Sequence, residues 1–236
     1  MTARLSALAL LALFAGPARA QTVRPGDAGL DSTALQPGVA RFVVRVTSPM
    51  QQDVGTLVET TTLAGGRLTR VMRMAISMGN QAQTDSVVAV WPGLAPVFSS
   101  STRGGGAVKE VRFSGATAAT RVVAAGGAAT EATVALPEPV FGGGWGGTLI
   151  AALPLAAGYT ATCPTLDAGD GIVNLAVSVT GSETVQTPAG PVEAWTVAVE
   201  RAGKTTRYAI SKLTRETLAM RMSPQPGVEI EMVPAP

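Results

Sequence analysis

Histidine is absent from the 236-residue chain, and cysteine occurs once, at Cys163. Without an imidazole, the Ser-His-Asp and Cys-His catalytic groups and the most common zinc ligand are excluded. A single thiol also excludes an intramolecular disulfide, and we expect Cys163 to be buried. The residue types therefore suggest a protein without a metal, a cofactor or a histidine-based active site.

Long apolar segments are scarce as well. One run, Leu5 to Phe14, lies near the N-terminus and is too short to span a bilayer, which needs about 20 residues. Arg4 precedes it, and a Gly-Pro break and the small-residue site Ala18-Arg19-Ala20 follow it. That order is typical of a cleavable signal peptide. We expect residues 1–20 to be removed and the mature protein, periplasmic or extracellular and not membrane-spanning, to begin near Gln21.

The mature chain also lacks a charge excess of either sign. The precursor has 18 Lys plus Arg against 16 Asp plus Glu, and the signal segment carries Arg4 and Arg19 but no acid. The mature chain therefore has 18 − 2 = 16 basic against 16 acidic residues. A neutral domain has no electrostatic footprint for nucleic acid or an anionic membrane, so we do not expect nucleic acid as a partner.

Hydrophobic alternation with a period of two dominates the rest of the chain. Phe42, Val44 and Val46 alternate with Val43 and Arg45, and similar short runs recur, separated by Gly-rich turns. This pattern predicts a mainly β protein, a curved antiparallel sheet or open half-barrel. Residues 21–37, rich in Pro and Gly, are predicted to be a mobile leader, and residues 38–236 a single domain.

One segment breaks the β pattern. Leu149, Ile150 and Leu153 have helical spacing within Trp145 to Leu153, which follows a run of glycines. Because a residue before proline tends to leave the helical region, the helix should end near Leu153. The sequence thus predicts one short helix.

The C-terminal third contains the most specific motif in the chain. A Pro-Ala-Gly turn precedes a strand with Ala-Trp-x-Val, a hairpin leads to Tyr-x-Ile-Ser-Lys, and Thr-Arg and a final Met-Val follow. The residues concerned are Pro188, Ala189, Gly190, Ala194, Trp195, Val197, Tyr208, Ile210, Ser211, Lys212, Thr214, Arg215, Met232 and Val233. Residues 145–233 resemble the bacterial periplasmic proteins grouped as domain of unknown function 3108.

The resemblance implies a curved antiparallel sheet packed on a helix, similar to the half-barrels of lipoprotein-carrier proteins, and it implies no catalytic residue. The strand parity of Trp195, shared with Val197 and Val199, predicts that its ring is buried against the concave core. We also expect residues 188–233 to form a four-stranded antiparallel meander.

The leading functional hypothesis is a non-enzymatic envelope domain that binds an apolar or amphipathic ligand, such as a lipid, on its concave face. The alternative is a structural or interaction module with a filled core, whose partner would be another envelope protein. The expected lining comprises Trp195, Val197, Val199, Ile210, Leu218 and Met220, with Leu149, Ile150 and Leu153 as a lid between flexible glycines. A void on the concave face would favour the ligand-binding hypothesis. A concave face filled by tryptophan side chains and the helix would favour the interaction module.

A third hypothesis, a carboxylate-based hydrolase, needs two converging acids. Asp167 and Asp170 lie in a Gly-rich turn, where aspartate usually bonds its own backbone. Glu229 and Glu231 share one face of the last strand, and Arg221 is expected opposite them. These patterns favour ordinary turn and surface positions.

Three further patterns have the same ordinary explanation. The run Phe141 to Gly147 (FGGGWGG) lacks the Lys-Ser/Thr ending of a phosphate loop and suggests a flexible entry loop. Met72, Met74 and Met78 suggest a core strand more than a soft binding pocket. Scattered arginines, Arg70, Arg73 and Arg103, are expected at the surface.

Overall fold

The computed structural model describes residues 21–77 and 81–236. The predicted signal peptide, residues 1–20, and Met78 of the methionine pattern lie outside the described residues. The described part is mainly β, as predicted, with one α-helix, α1 (Gly146–Ala151). None of the helices in these two ranges is long and apolar enough to cross a membrane.

The first half of the chain contributes nine strands. These are β1 (Gln21–Thr22), β2 (Gly38–Ser48), β3 (Gln52–Ala64), β4 (Arg67–Ile76), β5 (Gln81–Val90), β6 (Ala95–Arg103), β7 (Ala107–Ser114), β8 (Thr117–Val123) and β9 (Ala129–Ala135).

The second half contributes seven more strands, on either side of α1. These are β10 (Phe141–Gly142), β11 (Thr160–Asp167), β12 (Gly171–Thr187), β13 (Gly190–Arg201), β14 (Lys204–Ser211), β15 (Thr217–Gln225) and β16 (Val228–Pro234).

All the strands belong to one curved sheet in the order β1-β11-β12-β13-β14-β15-β16-β2-β3-β4-β5-β6-β7-β8-β9, with β10 also on β11. The pairings are antiparallel except for the short parallel strands β1 and β10. The two ends of the sheet are not hydrogen-bonded to each other. Instead, Val111 and Ala118 of one end pack with Val140 and Leu166 beside the other. Apolar contact therefore bridges a barrel-like sheet that hydrogen bonds leave open.

The predicted meander at the C-terminal end is confirmed, since β13, β14, β15 and β16 pair in succession. Its first tight turn, Ala202-Gly203, has positive φ at both residues, which suits the twist of a two-residue hairpin. The structure adds three strands that the sequence did not predict: β6 (Ala95–Arg103), where a serine run and a proline obscure the alternation, and the two-residue strands β1 and β10.

Residues 21–37 differ from the leader that their composition predicts. Val23 is fully buried in the main core, Leu35 is buried beside it, and Asp31 donates its backbone N–H to the Ala152 carbonyl at 2.7 Å. This segment therefore packs on the domain. Three apolar side chains of this segment, Val23, Leu30 and Leu35, pack in or against the main core. The high content of Pro and Gly, on which the prediction of a leader rested, does not reveal these contacts.

Candidate functional site

The concave face of the sheet is filled by the protein's own side chains. Leu149, Ile150 and Leu153, predicted as a lid, are buried in the same core cluster as Val197, Val199 and Ile210, predicted as the lining. Trp145 is buried with them. These two sets of residues therefore contact each other as core partners, and the lid and lining leave little apolar surface between them.

Three of the predicted lining residues lie elsewhere. Trp195 and Met220 are only partly buried at the edge of the main cluster, and the ammonium of Lys212 lies 4.5 Å from the Trp195 ring centroid. The predicted full burial of Trp195 is therefore wrong, although its parity with Val197 is right, because the ring ends at the margin of the core.

Leu218 belongs to a separate cluster with Ala194 and Ala209, on the other side of the sheet region that holds Ile210. A register shift between Ala209 and Ile210 precedes it. A register shift of this kind changes the face of the sheet to which the following side chains point. Strict alternation of side chains, on which the predicted lining was based, does not allow for such a shift.

A charged network also lies inside the sheet. The Arg70 side chain is only 4% exposed and pairs with Glu59 at 2.5 Å, while its other terminal nitrogen donates to the Gly144 carbonyl at 2.6 Å. Thr148 of α1 donates to the same glutamate at 3.2 Å. The sequence predicted all three arginines at the surface. That prediction is wrong for Arg70, which is buried, whereas Arg73 and Arg103 are exposed.

The environment of Arg70 keeps its guanidinium charged. Burial acts to lower the Arg70 pKa, but the negative charge and the hydrogen bond of Glu59 outweigh this effect, so the pKa is raised. The ion pair thus ties β3 and β4 to the glycine run and to α1. Removing one partner of a buried ion pair of this kind strongly destabilises the fold, because the other charge is left buried without compensation.

The glycine run is close-fitting where the sequence analysis expected a flexible entry loop. A Cβ added at Gly147 would overlap the Thr217 hydroxyl oxygen, and one at Gly143 would lie 2.9 Å from the Asp167 carboxylate. At Gly146, φ is +46° and the Arg70 guanidinium is adjacent. These glycines therefore allow close backbone approach.

Three of the four carboxylates considered for catalysis are held in ion pairs, and the fourth, Glu229, accepts a hydrogen bond from the Ser223 hydroxyl. Arg201 bridges Asp167 and Asp170 at 2.5 and 2.9 Å, and Arg221 lies opposite Glu231 as expected, at 2.7 Å. Within residues 21–77 and 81–236, no group of three or more acidic, Cys or His side chains is arranged to hold a metal ion.

Cys163 is fully buried, as predicted. Burial raises the pKa of its thiol to about 12, so the thiol stays protonated at neutral pH and is a poor nucleophile. Met72 and Met74 pack at the margin of a core cluster between β2, β3 and β16, which agrees with a core strand.

A groove of about 450 Å³ opens at one end of the strands, and we call it the end groove. Its floor is α1, one wall is residues 34–42, and the other is the connection from β14 to β15, residues 211–218. Leu35, Phe42, Val192 and Leu218 give it apolar surface. Its volume falls in the usual range for ligand sites.

Leu213 stands at the rim of the end groove with 90% of its surface exposed. The connection that carries it is well braced. The Ser211 hydroxyl accepts the backbone N–H groups of Leu213 and Thr214 at 3.3 and 3.0 Å, and Ser211 N–H donates to the Glu216 carbonyl. An ordered turn therefore holds a large apolar side chain in solvent.

The opposite wall of the end groove is an unfinished strand edge. β2 pairs with β3 from Gly38 onward, but its pairing with β16 begins only at Phe42, opposite Pro234. Residues 38–41 are all exposed, and Val39 has 52% of its surface in solvent. Residues 38–40 of β2 therefore have a paired strand on one side only, whereas the Arg41 carbonyl also accepts the backbone N–H of Ala235, just past the end of β16, at 2.9 Å.

The charges around the end groove favour an anionic group. Arg41 and Arg215 line it and take part in no ion pair within the described residues, and the Arg215 guanidinium donates to the Leu153 carbonyl at 3.3 Å. Glu216 is one acid in the lining, and the other, Glu59, is neutralised by Arg70. Two available arginines against one available glutamate leave the groove with one net positive charge.

The model of a family described as Protein of unknown function (DUF3108) matches residues 32–233. The chain belongs to this family. The match extends the resemblance expected for residues 145–233 to almost the whole domain. No curated protein matches the chain.

A solved structure similar to this DUF3108 protein is the crystal structure of a beta-barrel-like protein of domain of unknown function DUF1849 from Brucella abortus. The TM-score is 0.53 at 10% sequence identity, and the match covers 84% of this chain and 95% of that chain. At this identity the similarity concerns the fold alone, and it agrees with the mainly β, barrel-like architecture.

Four of the residues that carry the resemblance in the C-terminal third lie at the end groove, which their spacing in the sequence did not predict. Ser211, Thr214 and Arg215 form the turn that presents Leu213, and Ala189 lies in the groove lining. The polarity of this turn suggested ordinary surface residues. An exposed leucine inside a polar turn was the available signal, and it was overlooked because Leu213 follows no strand or helix period.

Proposed function

We propose that this chain is an exported, non-enzymatic domain of the cell envelope that binds an amphipathic ligand in the end groove. The ligand has an apolar chain and an anionic group. Leu213, presented in solvent at the rim of an apolar groove, carries the proposal. An apolar side chain in solvent stabilises the fold little, and at the rim of an apolar groove it extends a contiguous apolar surface of the kind that is typical of a binding site.

The chemistry of the groove supports each part of the ligand. Leu35, Val192 and Leu218 offer contact to an apolar chain, and Arg41 and Arg215 offer charge to an anion. Filling of the concave face by Trp145 and α1 argues against the interior as the binding surface, and on that criterion alone it favours the alternative of an interaction module. The ligand surface proposed from sequence is thus moved from the concave face to the end of the strands.

The proposed envelope location rests on the first twenty residues. Their basic start, apolar run and Ala-Arg-Ala site fit export and cleavage. N-terminal sequencing of the protein from the periplasm should find Gln21 first, and recovery of exported protein that still begins with Met1 would contradict this.

Binding is tested with a fluorescent fatty acid titrated into the mature protein. Saturable binding is expected, and Leu213→Asp should weaken it at least tenfold, about 1.4 kcal/mol. The matched control is Met50→Asp, since Met50 is 61% exposed at the opposite end of β2. Equal weakening by both variants, or no saturable binding by the wild type, would contradict the proposal.

A further inference from the structure

Strand β9 (Ala129–Ala135) ends the sheet and pairs with β8 on one side only. Six of its seven residues are exposed, on both faces of the strand, and Val134 alone is half-buried against a core cluster. The opposite end of the sheet packs on Val111 of β7 and Ala118 of β8. β9 therefore projects past the point where the two ends of the sheet meet.

The backbone groups on the outer side of β9 can be identified from its pairing with β8. Leu136, the residue after the strand, donates its N–H to the Ala116 carbonyl at 2.8 Å, towards β8. Backbone groups in a strand alternate between its two sides. Even-numbered residues of β9 are therefore bonded to β8, and the N–H and C=O groups of the odd-numbered ones face outward. The outward residues are Ala129, Glu131, Thr133 and Ala135.

This edge has none of the usual protection. Native proteins blunt sheet edges with proline, a bulge, charge or a covering segment. β9 contains no proline or glycine and pairs with β8 without a register shift. Within the part of the chain that the structure describes, no other backbone group bonds to the outward residues. The one charge, Glu131, lies 3.6 Å from the Arg121 guanidinium and is offset by it.

We propose that β9 pairs with β9 of a second copy of the chain, antiparallel and about a two-fold axis at Ala132. One sheet then continues through both molecules. The inference is independent of the proposed function, because β9 contributes no residue to the end groove.

The spacing of the outward residues fits a second copy. They are placed symmetrically about Ala132, so Glu131 lies opposite the second copy's Thr133, and Ala129 opposite its Ala135. Every outward N–H and C=O of the strand is then hydrogen-bonded. At the axis Ala132 faces its own copy in a non-hydrogen-bonded pair, where the two Cα atoms are about 4.5 Å apart. A small side chain suits this close approach.

Charge selects this register over its neighbours. An axis at Glu131 would place two carboxylates directly opposite each other, which is destabilising. An axis at Thr133 would leave the outward groups of Ala129 beyond the end of the partner strand. The mature chain, with 16 basic and 16 acidic residues after loss of Arg4 and Arg19, has no net charge to keep two copies apart.

The expected dimer is weak. Two strands of seven residues bury little apolar surface, and interfaces of less than about 1,200 Å² belong to transient complexes. We therefore expect a monomer–dimer equilibrium with a dissociation constant on the order of 100 µM.

Sedimentation equilibrium of the mature protein tests the association. The average mass of the wild type should rise towards twice the monomer mass between about 10 µM and about 1 mM. Ala132→Arg places two like charges at the axis and should remain monomeric. The matched control is Ala119→Arg, exposed on β8 one strand away from the edge, which should dimerise like the wild type. Far-UV circular dichroism checks that both variants fold.

Disulfide cross-linking tests the register. Ala132→Cys brings two thiols together at the axis, within the Cα separation of about 4.4–6.8 Å that a disulfide needs. Thr130→Cys, exposed on the same face of β9, lies opposite the second copy's Val134 and far from its own copy. Under mild oxidation with oxidised glutathione, the first variant should form covalent dimers roughly tenfold faster than the second. Cys163 is fully buried and serves as an internal negative control.

Each contrary result overturns the inference in a different way. A wild type that stays monomeric at about 1 mM, with equal cross-linking of the two cysteine variants, would leave the β9 edge for a different polypeptide. A dimer that survives Ala132→Arg would place the interface on another surface. Loss of the dimer in Ala132→Arg without faster cross-linking of Ala132→Cys would show that β9 associates without the two-fold axis at Ala132.

Discussion

The filled interior and the end groove use the same kinds of residue for opposite purposes. In the interior, Leu149 and Leu153 are enclosed by the sheet, and the charge of Arg70 is matched by Glu59. At the end groove, Leu213 is in solvent, and Arg41 and Arg215 have no acidic partner within the described residues. Burial and pairing stabilise the fold in the first region, whereas exposure leaves the second available for a ligand.

The largest difference between the regions should appear when a charge is removed. Arg70→Ala leaves Glu59 in a mostly buried site without its partner, and we expect a loss of about 3–5 kcal/mol in the free energy of unfolding. Urea denaturation measures it. Arg73→Ala, on the same strand but exposed, should change stability by less than about 0.5 kcal/mol. A loss of stability in Arg70→Ala that is no larger than the loss in Arg73→Ala would show that the Arg70 network adds nothing to stability.

A smaller difference is expected for leucine truncation inside the core. Leu153→Ala removes a fully buried side chain next to the sheet and should cost about 2–5 kcal/mol, as large-to-small core substitutions do. Thermal or urea unfolding with unchanged far-UV circular dichroism at low temperature checks the effect. A loss below about 1 kcal/mol would mean that α1 is not a permanent part of the core.

Trp195 tests the margin between the two regions. Full burial, as its strand parity suggests, would make Trp195→Ala cost about 3–5 kcal/mol. Because the ring is only partly buried beneath Lys212, we expect about 1–3 kcal/mol, as estimated from partial loss of apolar contact. Wild-type tryptophan fluorescence and equilibrium unfolding measure this change. A cost of 4 kcal/mol or more would place Trp195 in the core after all.

The smallest stability effect is expected at the end groove. Leu213→Ser should change the free energy of unfolding by less than about 0.5 kcal/mol, since the side chain is 90% exposed. The same variant should weaken fatty acid binding at least fivefold. Met50→Ser, at the far end of β2, is the control for both measurements. A loss of 1 kcal/mol or more at Leu213 would assign it a structural role and remove the contrast between the regions.

Much of the fold could be predicted from local sequence. The alternation around Phe42 and Val44 depends on one face of a strand meeting a core, and Ala202-Gly203 suits a two-residue turn. The break before Pro154 limits α1 for a local steric reason. β6 escaped prediction because its serines form a strand through pairing with β5 and β7, and not through their own preference.

The candidate site was predictable only in part. Leu149, Ile150, Leu153, Val197 and Ile210 were identified as one apolar group, and they do lie together. Whether such a group encloses a void or a filled core depends on distances between elements far apart in the chain. Close packing is decided by side-chain volumes in three dimensions, which periodicity does not contain.

The sequence by itself determined the absence of imidazole-based chemistry, the strand-rich pattern, the short helix before Pro154 and the family, because these follow from residue types and local spacing. Only the tertiary structure decided that α1 fills the concave face, that Arg70 is buried with Glu59, and that β2 extends beyond β16 beside Leu213. Each of these depends on where separate strands end relative to one another, and register between distant segments is set by packing of the whole sheet.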